Sequence, residues 1–263
     1  MTTDERRKIL LLNTDTDRAE NLDDNLANYL HGVLFDQPRV QREAAVITYN
    51  VHQGIFPDER EQFDGAMITG SVVNVRSGAP GFEEWVTQLG NYLPTLRNQN
   101  CPILGVCFGS QITAISFGGE VQPIGTTSDG KPVYELGYPE VRLTPEGIAS
   151  PLFEGFNPVF RVNESHRNIV VNLPPGSTLL AENDFGYQAF QLDKNIFGIQ
   201  FHPEIYLNPA IRSLERRIKK SDPGEYRDNL TSARDRIGAE YTLTNGNEAV
   251  KIYSNFVNNF VLK

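Results

Sequence analysis

The sequence predicts an α/β fold, a three-layer sandwich around a mostly parallel central sheet, with a helical extension at the C-terminal end. Three observations carry this. Over the first 125 residues short β-type runs alternate with helical patterns, the order that builds a parallel sheet covered by helices on both faces. At 102–117 a compact apolar run passes through a glycine-flanked turn directly into a helical segment. After Gly118-Gly119 the segments become short and β-like, and from Tyr206 they turn helical again.

Taken in order, residues 8–13 (KILLLN) read as a buried strand, because an apolar run of that length suits a strand covered on both faces. Residues 45–49 and 65–69 read as the second and third strands, the third ending in the turn-prone Gly70-Ser71. A helix is expected over 82–98, kinked or divided at Pro94, which lacks an N–H and crowds the preceding turn. Residues 102–106 form the next strand and 108–117 the next helix. β-like segments follow at 138–143, 159–162, 169–171, 178–182, 187–192 and 196–200, parted by turns such as Pro174-Pro175-Gly176 and Asp193-Lys194-Asn195. They read as hairpins and additions completing the sheet. Residues 211–220 and 228–237 are helical, separated by Ser221-Asp222-Pro223-Gly224. In the last helix Ala249, Tyr253, Phe256 and Phe260 line one face, with Val250, Val257 and Val261 beside them, the stripe of a helix docked on a core. The expected organisation is a main α/β unit over 1–205 and a helical extension over 206–263 packed on it.

Composition narrows the function classes. The chain has 263 residues, 39% hydrophobic and 22% charged, which suits a globular protein able to bury a full core. A net charge of −9 argues against a nucleic-acid surface, which needs clustered cations to neutralise phosphates. The longest apolar runs are far too short to span a bilayer, and the N-terminal stretch has no secretory pattern, so the expected address is the cytoplasm. In a reduced compartment the two cysteines, Cys101 and Cys107, stay free, and one can serve as a nucleophile.

Cys107 sits within Gly105-Val106-Cys107-Phe108-Gly109, at the elbow between strand and helix. Such an elbow holds its nucleophile in strained geometry, and backbone N–H groups at the helix start favour a thiolate and any oxyanion formed beside it. By itself the segment equally fits an inert buried cysteine at an ordinary βα turn. A second segment, Gln200-Phe201-His202-Pro203-Glu204, delivers a histidine at a strand end with an acid two residues on. The acid can fix the imidazole tautomer and favour the imidazolium that keeps a cysteine ionised; the alternative is a surface histidine at a strand end.

Together the two segments resemble the class I glutamine amidotransferase family, whose signatures are a G-x-C-x-G-x-Q elbow and a later F-H-P-E. Here these are Gly105, Cys107, Gly109 and Gln111, and Phe201-His202-Pro203-Glu204. The likeness is to the glutaminase domain of GMP-synthase type and runs from the first strand to at least Ile205. It implies a flavodoxin-like fold and a catalytic Cys107, His202 and Glu204. Cys107 would attack a glutamine side-chain amide, His202 would move protons, Glu204 would orient His202, and Gln111 would help hold the donor. Ammonia would leave and water would resolve a γ-glutamyl thioester. Asp64-Gly65-Ala66-Met67-Ile68-Thr69-Gly70-Ser71 sits where the family has D-G-x-x-x-x-G-G, so Gly70 and the N–H of Ser71, with the N–H of Phe108, are the expected oxyanion donors. Glu135-Leu136-Gly137-Tyr138 resembles a structural E-x-G-[WY] segment, and Ser165-His166 an S-H-G-D segment beside the donor, which places His166 among the substrate-binding candidates.

The chain departs from the pattern at Ser110, where the family usually has histidine, and at Arg167 and Asn168, which replace the glycine and acid of S-H-G-D. Arg167 either binds a substrate carboxylate or points to solvent. His31 and His52 have no carboxylate or cysteine at ligand spacing in the sequence, Cys101 reads as inert, and Cys101 and Cys107 are not spaced as a C-x-x-C pair, so neither metal nor cofactor is expected. A Walker loop and an S-G-G-x-D stretch are both absent. The resemblance therefore implies that ammonia passes to a synthase subunit on another chain. The alternatives are a γ-glutamyl peptidase or hydrolase using the same triad, and a catalytically weak binding or regulatory protein of the same fold.

Overall fold

The structure is a computed structural model that describes residues 6–16, 26–35, 37–244 and 248–263. The first five residues, included above in the stretch read as free of a secretory pattern, lie outside that set. Thirteen strands are present among the described residues: β1 (Arg7–Asn13), β2 (Ala44–Asn50), β3 (Gly65–Ile68), β4 (Ile103–Val106), β5 (Glu120–Pro123), β6 (Glu135–Gly137), β7 (Glu140–Leu143), β8 (Val159–Arg161), β9 (Glu164–His166), β10 (Asn168–Asn172), β11 (Thr178–Asn183), β12 (Gly186–Leu192) and β13 (Ile196–Ile199). The helices are α1 (Leu26–Phe35), α2 (Pro38–Glu43), α3 (Glu84–Asn98), α4 (Phe108–Ser116), α5 (Pro145–Ala149), α6 (Leu207–Lys220), α7 (Glu225–Thr242) and α8 (Lys251–Phe256), the last continued by a π-helical turn, Val257–Val261.

Nine strands form one sheet in the order β2-β1-β3-β4-β13-β12-β11-β7-β8. From β2 to β13 all neighbours are parallel; from β13 outward the pairs are antiparallel. The hairpins expected after Gly119 thus extend the parallel half. Two small sheets, β10-β5 and β6-β9, lie outside the main one. No helix of the described residues is long and apolar enough to cross a membrane.

Strand alternation sets the layers. In β1, Ile9 and Leu11 join one core with Met67, Leu104, Phe197 and the C-terminal residues Ile252, Tyr253 and Phe256. Leu10 and Leu12 join the opposite core with Ala66, Ile68, Ile103 and α3. Successive side chains point to opposite faces, so an all-apolar strand must be covered twice. Helix α3 runs through Pro94 as a single helix, because Trp85, Val86, Leu89, Tyr92, Leu93 and Leu96 bury its apolar face on both sides of the proline. Packing here outweighs the lost hydrogen bond, so the expected division does not occur. A third, smaller core joins α6 and α7 to Leu136, Tyr138 and Ile205. There Gly137 has φ +103, and Glu240 Oε2 accepts from the Tyr138 N–H at 2.8 Å. A Cβ at Gly137 would meet the Glu240 carboxylate, which is why this position is glycine.

Candidate functional site

Three adjacent parallel strands, β3, β4 and β13, end at the same edge. Ile68 pairs with Gly105, and Val106 pairs with Ile199. The residues that follow, Thr69-Gly70-Ser71, Cys107 and Gln200-Phe201-His202, are therefore neighbours despite their separation in sequence. Ligand sites in open parallel sheets form at this carboxyl edge.

Cys107 has φ +51 and ψ −103, a conformation that a non-glycine residue adopts only under constraint. The elbow is tight. A Cβ at Gly105 would strike the Gly109 carbonyl, and one at Gly109 would strike the Ile68 carbonyl. The Cys107 N–H donates to Ile199 O at 2.8 Å, which fixes the elbow on β13. Cys107 also caps α4, beside the N–H groups of its first turn. Ser110, where histidine was expected, is 2% exposed and faces Gly198 of β13, with its hydroxyl where a Cβ on Gly198 would sit. It packs helix against sheet and does not face the thiol's cavity.

His202 stands beside Cys107 at the cavity, close enough for the thiol to act on the imidazole. His202 Nδ1 lies 2.7 Å from Glu204 Oε1, and Glu204 Oε2 accepts from the Tyr253 hydroxyl at 2.6 Å. The His202 N–H donates to Asn163 O at 2.8 Å. Burial works against the imidazolium, but the charges and hydrogen bonds of Cys107 and Glu204 prevail and hold His202 well above its ordinary pKa. Burial likewise opposes ionisation of Glu204; the His202 charge, His202's hydrogen bond and that of Tyr253 outweigh it and keep its pKa low. Tyr253 was legible as a core residue of the last helix, and its part in this chain was not. The available signal was a tyrosine within an otherwise apolar stripe, because a buried hydroxyl requires a partner.

Ser71, in the loop after β3, lines the same cavity as Cys107, and Phe108 opens α4 directly after the thiol. Thr14, just beyond β1, fixes the first loop: its hydroxyl reaches Thr69 O at 2.9 Å and Gly70 O at 3.0 Å. No sequence pattern marked Thr14. Gln111 lines the cavity, and its amide nitrogen donates to Asn168 O at 3.0 Å and Gln200 Oε1 at 3.1 Å. That nitrogen is spent on the protein, so Gln111 fixes the cavity floor.

His166 also lines the cavity, yet its ring nitrogens face protein atoms. Nδ1 lies 3.0 Å from Asn168 O, and Nε2 lies 2.9 Å from Glu135 Oε2 and 3.1 Å from Glu164 Oε2. A carbonyl on one side and two carboxylates on the other require a proton on each nitrogen. Burial opposes that charge, and the two glutamates overcome it, pushing the pKa up to about 10. Burial together with the Glu135 charge raises Glu164 to about 7. Glu135 also accepts from Asn183 and from Gln188 Nε2. Glu135, Glu164 and His166 are the residue types that hold metal ions, with one donor atom each inside 4.8 Å. A proton shared from His166 accounts for their spacing. Both ring nitrogens of His166 are thus engaged by protein atoms at the cavity wall.

Of the other candidates, Cys101 is buried and burial pushes its thiol up to about 12, in keeping with an inert residue. His31 is exposed, and His52 Nδ1 lies 3.2 Å from Asn13 O. Arg167 points neither to solvent alone nor into empty space: its Nη2 donates to Val72 O at 3.2 Å. The cavity, of about 270 Å³, extends from Cys107 and His202 past Ser165 to α6, where Ala210, Ser213 and Arg217 form its far wall.

The model of the family described as "Glutamine amidotransferase class-I" matches residues 22–220. The A subunit of the glutamine-hydrolysing GMP synthase of Methanosphaera stadtmanae is 35% identical over 137 residues, 51% of this chain and 66% of that one. The glutamine-hydrolysing GMP synthase of Pyrobaculum aerophilum is 29% identical over 155 residues, 59% of this chain, and the match spans only 26% of that enzyme. Gamma-glutamyl peptidase 5 of Arabidopsis thaliana is 28% identical over 161 residues, 59% of this chain and 60% of the other. Among solved structures, a glutamine amidotransferase from Thermotoga maritima superposes with a TM-score of 0.68 and 17% identity, covering 98% of this chain and 99% of that one, a likeness of fold. A family match over most of the chain, on a sheet whose carboxyl edge carries Cys107 and His202, makes this protein a member of the class I glutamine amidotransferase family.

Proposed function

We propose that the chain hydrolyses the γ-amide of a glutamyl donor, in the first instance glutamine, and releases ammonia for a synthase on a partner chain. The observation that carries this is the connected series Cys107–His202–Glu204–Tyr253 at the carboxyl edge of the sheet. In this reading the Cys107 thiolate attacks the amide carbon and His202 gives its proton to the departing nitrogen. Water, deprotonated by His202, then opens the γ-glutamyl thioester to give glutamate and restore the thiol. The N–H groups of Ser71 and Phe108 take the oxyanion; one such donor is commonly worth about 3 kcal/mol. Glu204 holds the imidazole, and Tyr253 holds Glu204. Because Tyr253 reaches the triad from the last helix, residues 206–263 are part of the catalytic body in this reading.

The same machinery cleaves γ-glutamyl peptides equally well in principle. The observation favouring that second reading is a cavity that continues beyond the catalytic pair to α6. An intact hydrogen-bonded series speaks against a merely regulatory protein. The test is ammonia release from glutamine and amino-acid release from γ-glutamyl peptides by purified protein, with Cys107→Ala as the control. Activity on either donor, lost in that variant, is expected; no activity on any γ-glutamyl amide overturns the reading.

A further inference from the structure

The cavity is lined by several cationic side chains, in a chain whose net charge is −9. Arg217, on α6, is half-buried with its guanidinium 4.1 Å over the Tyr134 ring, and Nη1 reaches Ser165 Oγ at 3.5 Å. Arg167 approaches from the segment between β9 and β10, tied to Val72 O. Lys220 stands at the end of α6. All three line the cavity, and none forms an ion pair with a carboxylate of the described residues. Arg216 lines it as well but already has a partner. The cavity's acids do not balance this charge at the rim. Asp15 and Glu164 are each 1% exposed, and Glu164 is spent on His166.

Several arginines elsewhere are paired with carboxylates: Arg7 with Asp64, Arg97 with Asp193, Arg142 with Asp184 and Arg236 with Glu240. Acids outnumber bases 33 to 24, and still Arg167 and Arg217 have no carboxylate partner among the described residues. Two such arginines are held by other means, one by a ring and one by a carbonyl, with their side chains at the same cavity. Stacking and a carbonyl bond fix a guanidinium without neutralising it, which leaves its charge and remaining N–H donors for a ligand.

Free glutamine brings one carboxylate. Two separately anchored guanidiniums, with Lys220 beside one of them, match a donor carrying two. We propose that Arg167 and Arg217 form an anion subsite that selects γ-glutamyl amides whose leaving amine bears its own carboxylate, that is, γ-glutamyl amino acids and peptides. This rests on the hydrolase reading above. The bond broken is the γ-amide, water is the only co-reactant, and the products are glutamate and the free amino acid.

The experiment compares γ-glutamylglycine with γ-glutamyl methylamide, which keeps the substituted γ-amide and removes the second carboxylate, with glutamine as a third donor. Wild-type protein is expected to favour γ-glutamylglycine over the methylamide in kcat/KM by about 10–100-fold, the range of a hydrogen bond to a charged group. Arg217→Gln and, independently, Arg167→Gln are expected to shrink that ratio at least about fivefold, with Arg217→Lys retaining more of it than Arg217→Gln. Thermal unfolding of each variant checks that it is folded, and the ratio within one variant is insensitive to its active fraction. Equal wild-type rates on the two substituted amides, or a ratio unmoved in both glutamine variants, overturns the subsite while leaving the hydrolase intact. Absence of hydrolysis of all three donors, glutamine included, removes the underlying reading and the subsite with it.

Discussion

Two buried histidines lie beside one cavity, and each is paired with glutamate. They differ in what their second nitrogen meets. His202 spends Nδ1 on Glu204 and stands beside the Cys107 thiol. His166 is hydrogen-bonded on both sides, by Asn168 O and by Glu135, with Glu164 in ion-pair range. In both, burial opposes the imidazolium and neighbouring charges and hydrogen bonds outweigh it, so both are held above their ordinary pKa. A raised pKa therefore does not distinguish a proton carrier from a structural ion pair. In the proposed mechanism the difference lies in the thiol beside His202.

The sharpest test of the contrast removes the thiol. Cys107→Ala is expected to lower the rate by about 10⁴-fold or more while the fold persists, since little volume is lost. Mass spectrometry after treatment with a glutamine-analogue alkylator should find the label on Cys107 and none on Cys101. A fully active alanine variant, or label on Cys101 alone, would break the assignment.

Replacing each histidine separates the two roles. His202→Ala should be nearly as damaging in steady-state kinetics as loss of the thiol, because groups acting as a unit are not additive. His166→Ala should instead lower stability by about 3–5 kcal/mol in urea unfolding, since Glu135 and Glu164 are left buried without a counter-charge. Unchanged stability in His166→Ala would show that the cluster is not the ion pair described.

Smaller effects are expected one step out from the thiol. Tyr253→Phe leaves Glu204 Oε2 without its donor, and should reduce kcat roughly tenfold, in line with about 1–3 kcal/mol for a buried group losing its partner. Glu204→Gln should cost less than His202→Ala, because in the proposed mechanism Glu204 orients and exchanges no proton with the donor. Kinetics in which Glu204→Gln is the harsher change would reverse the two roles.

The mildest effect is a pH dependence of stability. His166 titrates near 10 when folded against an ordinary 6.5, so its contribution is full below 6.5 and is lost as pH rises through 10. Glu164 is raised to about 7 from 4.5, so its burial costs nothing below 4.5 and progressively more as pH rises through 7. Stability of the wild type should therefore fall from pH 5 to 7 more steeply than that of Glu164→Gln, as read by urea unfolding at each pH. Parallel profiles would take Glu164 out of the account.

Much of this molecule was legible without coordinates. The parallel strands were readable because residues buried on both faces must be apolar without interruption, as in Ile9-Leu10-Leu11-Leu12. The three short elements β5, β6 and β9 and the helices α1, α2 and α5 were not read as such. Their three to ten residues carry too little periodicity to stand apart from loop. Pro94 misled because a local penalty was weighed without the six buried side chains that hold α3 together.

The sequence by itself pointed to Cys107, His202 and Glu204, since an elbow and a strand end are local features written in adjacent residues. Only the tertiary structure decided what surrounds them. Tyr253 reaches Glu204 from 49 positions away, Thr14 reaches the Gly70 carbonyl across 56, and Glu135 reaches His166 across 31. Arg217 meets the cavity only because α6 docks beside Ser165. Hydrogen bonds and charges act through space, and a linear pattern records partners only when the chain keeps them close.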